Sequence, residues 1–184
     1  MHSLHSTQLA TGKAIAGARE VMVAEWSEWL TSRKAGGRMP EALVERKLRL
    51  VIDVLIEMLG PLRREANLIW PRVMEQYGRI GASRGLAAGE VVEEIQQLRV
   101  LLIRHVGDTI AAMRPRRSVA VFLRLNAIID RGIAEAVVGY TDVLVASLLP
   151  SEPDSTSVMA ESTEALVELL DEFDTELARV TAGH

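Results

Sequence analysis

The chain has four histidines, His2, His5, His105 and His184, and three of them stand near its ends. A two-histidine metal site or an HExxH zinc motif therefore has no second interior ligand to draw on. Glu90, Glu93 and Glu94 share one helical segment, but the Glu-x-x-His repeat that di-iron bundles place on two helices is missing. The sequence has no cysteine, which excludes disulfides, thiol nucleophiles, thiolate-bound zinc and iron–sulfur clusters. His105 falls in register with Val91, Ile95, Leu98, Leu102, Thr109 and Met113. That is a histidine on an apolar helix face, the position from which a globin ligates haem. A hydrogen-bonded core histidine is the plainer reading, so no cofactor is expected and haem at His105 is the alternative. Trp26, Trp29 and Trp70 are candidates to line an apolar pocket. Trp70, Tyr77 and Arg99 are the residues chosen for it. Arg99 and Arg104 could neutralise an anion or be ordinary solvated arginines. The glycine-rich pieces at 78–85 and 86–89 lack the preceding strand and the GK[ST] ending of a phosphate loop. They read as small residues for close helix packing or a tight turn.

The elements that must position these residues are helical. A first helix is expected from about Thr7 to Ser32, with Ile15, Val21, Met22, Trp26, Trp29 and Leu30 on its apolar stripe. The segment KAGGRMP breaks it, and a second helix follows from Pro40 through Leu43, Val44, Leu48, Val51, Leu55, Met58 and Leu59 to the Gly60-Pro61 stop. Helical periodicity continues from Arg63 to Ser83, where Pro71 must either kink the helix or begin a new one. A short connection leads to the helix carrying His105, which Arg114-Pro115 ends. The longest helix then runs from about Arg117 to Leu149 through Phe122, Leu125, Ile129, Ile133, Val137, Tyr140 and Leu144. No alternating segment flanked by hairpin turns occurs, so the fold class is all-α: five to six bundled helices plus a C-terminal amphipathic helix.

The expected domain covers residues 1–149, and the acidic, proline- and serine-rich stretch 150–157 is a linker. Residues 158–181 form an amphipathic acidic helix. Its seam, Met159, Thr163, Leu166, Leu170, Phe173, Leu177 and Val180, is spaced 4, 3, 4, 3, 4, 3, the heptad pattern of a short coiled coil. Glu161, Glu164, Glu168, Asp171, Glu172, Asp174 and Glu176 on the polar face would repel a like helix. A basic partner and packing back onto the chain's own bundle are the two alternatives, with Leu166, Leu170, Phe173 and Leu177 as the contact residues.

Composition narrows the function further. Net charge is −4 with basic residues scattered apart from Arg114, Arg116 and Arg117, so nucleic acid is not an expected partner. The longest apolar stretch, Val137 to Leu149, is interrupted by Asp142 and is shorter than the roughly 20 residues a spanning helix needs. The N-terminus has neither a basic start nor an apolar core, so a cytoplasmic location is expected. Hydrophobic residues make up 48% of the chain, with mean hydropathy +0.14, which points to apolar surface covered by a second subunit.

Several stretches together resemble the RsbRD N-terminal domain family, known from RsbR-like stressosome proteins and from the front of some bacterial sensor kinases. They are Ala24 through Leu30, Tyr77-Gly78-Arg79 through Gly85-Leu86, Glu90 through Arg99 with Leu101-Leu102, Leu125-Asn126, Ile129-Asp130-Arg131 and Ala134 through Val137. The likeness covers most of residues 15–148 and consists of helix-packing patterns, not of a catalytic signature. It implies a globin-like bundle, usually haem-free, that dimerises and passes a signal through its last helix to an output domain. Here the linker and acidic helix follow in place of a STAS or kinase domain, so output is expected in trans, to a protein partner such as a kinase or STAS-type regulator. The expected function is that of a non-enzymatic sensory or regulatory module.

Overall fold

The computed structural model describes residues 2–33, 39–148 and 158–182, with side chains for 6–33, 39–148 and 164–182. Six helices account for them: α1 (His2–Ser32), α2 (Glu41–Leu59), α3 (Arg63–Ser83), α4 (Ala88–Ala111), α5 (Pro115–Leu148) and α6 (Val158–Ala182). No strand occurs among the described residues, and the protein is an all-α bundle. Most of the KAGGRMP break and the linker at 150–157 lie outside the described residues.

Local chemistry sets the boundaries. The Pro40 carbonyl accepts from Leu43 and Val44 N–H at 3.0 Å each, opening α2 where proline has no N–H to lose. α3 ends in a Schellman turn: Leu86 N–H reaches Gly81 O at 3.1 Å and Gly85 N–H reaches Ala82 O at 2.9 Å. Gly85 takes φ +75° there, a conformation that a Cβ would strain. Glu90 then reaches back to the Ala87 N–H at 2.7 Å. Ala87 has no side-chain oxygen to return the favour, so this cap is one-sided. Pro71 sits inside α3 without breaking it, so no new helix begins there.

The tightest contact in the bundle is between α3 and α5. A Cβ on Gly78 would stand 1.8 Å from the Ala136 carbonyl oxygen, and one on Gly139 would stand 1.9 Å from that of Glu75. The two helices therefore touch backbone to backbone. Gly81 likewise faces Val91, whose Cγ2 would lie 2.4 Å from an added Cβ, which keys α3 to α4. These glycines serve close packing.

This contact also corrects the stripe expected for α5. The buried line is Val121, Leu125, Ile128, Ile129, Gly132, Ala136, Gly139 and Tyr140, whereas Val137 and Leu144 are 38% and 46% exposed. Only the smallest side chains allow the backbone approach, so α5 turns Gly132, Ala136 and Gly139 toward α3 and leaves Val137 and Leu144 on the outer side. In α4 the core line passes through Val106 and Ile110, with His105 half-buried at its edge and Thr109 exposed. The expected register advanced by about 3.5 residues per turn, and a straight helix of 3.6 drifts off it by roughly 20° per heptad. In α1, Val23 is buried, Val21 is exposed, and Trp29 is half-buried under the Arg33 guanidinium, 4.7 Å from its ring centroid.

Candidate functional site

The acidic helix α6 lies across the groove between α2 and α3. Leu166, Leu170, Phe173 and Leu177 are all buried in that contact, so packing onto its own bundle is the arrangement the structure adopts. The acids meet arginines of the groove walls. Arg46 on α2 pairs with Asp171 and Asp174, each at 2.6 Å. Arg72 on α3 pairs with Glu172 at 3.3 Å and Glu176 at 2.7 Å, and its guanidinium lies 5.1 Å over the Phe173 ring. Open clefts flank the helix on both sides, one of about 460 Å³ beside Arg72 and Arg179 and one of about 330 Å³ beside Arg19 and Glu57.

Beneath α6 is a buried lysine. Lys47 on α2 is 3% exposed, and its Nζ stands 3.9 Å over the Tyr77 ring. A cavity of about 10 Å³ separates Lys47, Leu50, Val73 and Tyr77 from Leu170 and Phe173, hardly room for one water. Tyr77 donates to Glu94 Oε2 at 2.9 Å, and Glu94 faces Arg84 at 3.5 Å. Trp26 stacks on Tyr77 at 6.3 Å and donates its indole N–H to the Glu94 carbonyl at 3.0 Å. Burial pulls the Lys47 ammonium down to about 8, with Arg84 acting in the same direction and Glu94 against it. Burial and the Glu94 carboxylate hold the Tyr77 hydroxyl well above its ordinary value. The cluster is thus a charged pair and a phenol held in a dry layer, with one cation facing apolar side chains of α6.

Sequence reasoning passed over Lys47. Val44, Lys47, Val51, Val54 and Met58 are spaced 3, 4, 3, 4, which puts the lysine on the core line of α2. Val91, Glu94, Leu98 and Leu101 repeat the pattern in α4. Two opposite charges, each at a core position of its own helix, were the available signal.

The residues chosen for a pocket sit against different partners. Trp70 is fully buried and donates to the Ile128 carbonyl at 3.1 Å, tying α3 to α5. Tyr77 belongs to the lysine cluster. Arg99 pairs with Asp130 and borders a cavity of about 20 Å³ with Leu102, Phe122, Asn126 and Ile129, the size of a single water. Arg104 pairs with Glu25 at 2.8 Å. The same carboxylate stands 3.1 Å from His105 Nε2, in ion-pair range but outside hydrogen-bonding alignment. His105 and Arg104 together hold the Glu25 carboxyl below its usual range. A haem iron at Nε2 would have to displace Glu25. The side chains of His2, His5 and His184, and of Met159, Glu161 and Thr163, lie outside the described residues.

Among the described residues no group of three or more His, Asp or Glu side chains is placed to hold a metal ion. No described helix is long and apolar enough to cross a membrane. No protein-family model matches the chain, and neither a curated protein nor a solved structure matches it.

Proposed function

We propose that the protein is a non-enzymatic sensory or regulatory module of globin-like, haem-free type, dimeric through α5 and acting on a protein partner through α6. The observation that carries this reading is the outward face of α5. Val119, Leu123, Val138, Val145 and Leu148 recur at helical spacing and are all at least half exposed, Leu123 by 64%. Two exposed apolar patches, one near each end of the longest helix and separated by the charged Asp130 and Arg131, fit a second copy better than water. The inner face of the same helix is keyed to α3 by glycine, and the chain continues from it to α6. A stimulus that shifts the balance between two packings of the dimer would change the position of α5 and, through it, the hold on α6. The resemblance to the RsbRD N-terminal family points the same way, and a kinase or STAS-type regulator remains the proposed kind of partner.

Sedimentation of the purified protein, expressed with a haem supply and followed by its absorbance spectrum, tests this. A colourless dimer that Val138→Asp together with Val145→Asp converts to a folded monomer is expected. A monomeric wild type removes the dimer reading. A Soret band lost in His105→Ala would replace the haem-free module with a haem sensor.

A further inference from the structure

We propose that the α2–α3 groove is a receptor site for an acidic amphipathic helix of a partner protein, and that α6 is its resident competitor. This rests on the reading of α6 as a detachable output element and adds a second surface to it.

The occupant in the structure defines the chemistry that the groove accepts. Its floor is apolar: Leu50, Val51, Val73 and Ile80 are buried with α6 in place, and Leu50, Val73 and Tyr77 border the same small cavity as Leu170 and Phe173. Its two walls each present one arginine, and each arginine takes two carboxylates about one helical turn apart, Asp171 with Asp174 and Glu172 with Glu176. In a chain of net charge −4, Arg46 and Arg72 place a positive charge on each wall where the α6 carboxylates meet it. A helix with apolar residues at spacings 4, 3 and 4 and acids on both flanks meets every one of these features. Nothing in the groove demands that such a helix belong to the same chain.

The seat is also imperfectly matched to α6. Lys47 is stripped of water under Leu170 and Phe173, with the Tyr77 ring of α3 against its ammonium and Glu94 and Arg84, not α6 carboxylates, as the charges acting on it. The ion pairs are exposed, the kind that hold little, and open clefts run along both flanks. α6 is held by the burial of Leu166, Leu170, Phe173 and Leu177 and by its tether, which raises its local concentration to about the millimolar range for a short connection. A partner helix must beat that concentration or wait for α6 to leave.

The test is a titration of a labelled synthetic peptide of residues 164–182 into the 184-residue chain. Binding to the Phe173→Asp chain is expected at least tenfold tighter than to wild type, because the internal competitor has been disabled. Arg46→Glu with Arg72→Glu, added to that variant, should weaken the peptide at least tenfold. Leu177→Asp provides a second way to free the groove if Phe173→Asp fails to fold, and the helical circular dichroism spectrum reports which variant is intact. Equal affinity for wild type and a folded variant overturns the proposal, as does no binding to that variant or indifference to the two charge reversals. A dimeric chain that fails this titration keeps the sensory reading and loses the receptor.

Discussion

Replacing Lys47 by methionine should make the protein more stable, against the usual sense of a core substitution. Methionine keeps the unbranched length of the lysine and removes only the charge. Burial has moved the lysine from 10.5 to about 8, which amounts to about 3 kcal/mol of strain in the folded state. Part of that returns as a loss, because Glu94 gives up a nearby positive charge while retaining Arg84 and the Tyr77 hydroxyl. The net gain at pH 6.5 is therefore about 2 kcal/mol, within the range for replacing buried ions by apolar groups. In a chain of this size it corresponds to roughly 4–8 °C in Tm. The pH profile supplies an independent check. Between pH 8 and 10.5 the unfolded chain keeps a proton on Lys47 that the folded chain has released, so wild-type stability rises with pH in this window. From pH 6.5 to 9.5 the rise is about 2 kcal/mol, while Lys47→Met lacks it. Above pH 10 Tyr77 works in the opposite sense, since its folded hydroxyl titrates higher than its unfolded one. Urea denaturation of both proteins at four pH values between 6.5 and 9.5 measures this. A destabilised Lys47→Met at pH 6.5, or two parallel pH profiles, would show that no dehydrated ammonium lies under α6.

Two further substitutions probe the frame around that site. Gly139→Ala puts a Cβ against the Glu75 backbone oxygen and should cost about 2–4 kcal/mol, read as a fall in Tm. Gly17→Ala has nothing within 4 Å of its new Cβ and should raise stability by up to about 1 kcal/mol; equal responses at the two positions would refute the backbone contact between α3 and α5. Tyr77→Phe removes the hydroxyl donated to the buried Glu94 carboxylate and should cost about 1–3 kcal/mol in the same denaturation assay. A neutral result would mean that water reaches Glu94.

Proline and glycine made most of the helix boundaries legible. Gly60-Pro61 and Arg114-Pro115 fall at the junctions they were expected to mark, and α3 spans Arg63–Ser83 as its periodicity indicates. Faces were harder to read, because periodicity registers large apolar side chains. The α3–α5 crossing is made by Gly78, Gly132, Ala136 and Gly139, which contribute little to a hydrophobic stripe yet decide which side of α5 is inside. Lys47 was invisible for a related reason: its stem packs as an apolar residue while its type signals a surface. Whether α6 folds back or pairs outward depended on Arg46 and Arg72. Each lies on an exposed part of its own helix, and only the tertiary arrangement brings them to opposite walls of one groove.

The glycine lock between α3 and α5 also decides which parts can move independently. Two helices in contact through their main chains can neither slide nor roll on each other without a collision, so α5 and α3 turn as one piece. The groove under α6 has α3 for one wall and α2 for the other. A rotation imposed on α5 by a second copy would thus reach Arg72 and Val73 directly, and Lys47 through its contact with the Tyr77 ring. The width of the gap that holds α6 is in this sense a coordinate through which a change at the outer face would be felt at the acidic helix.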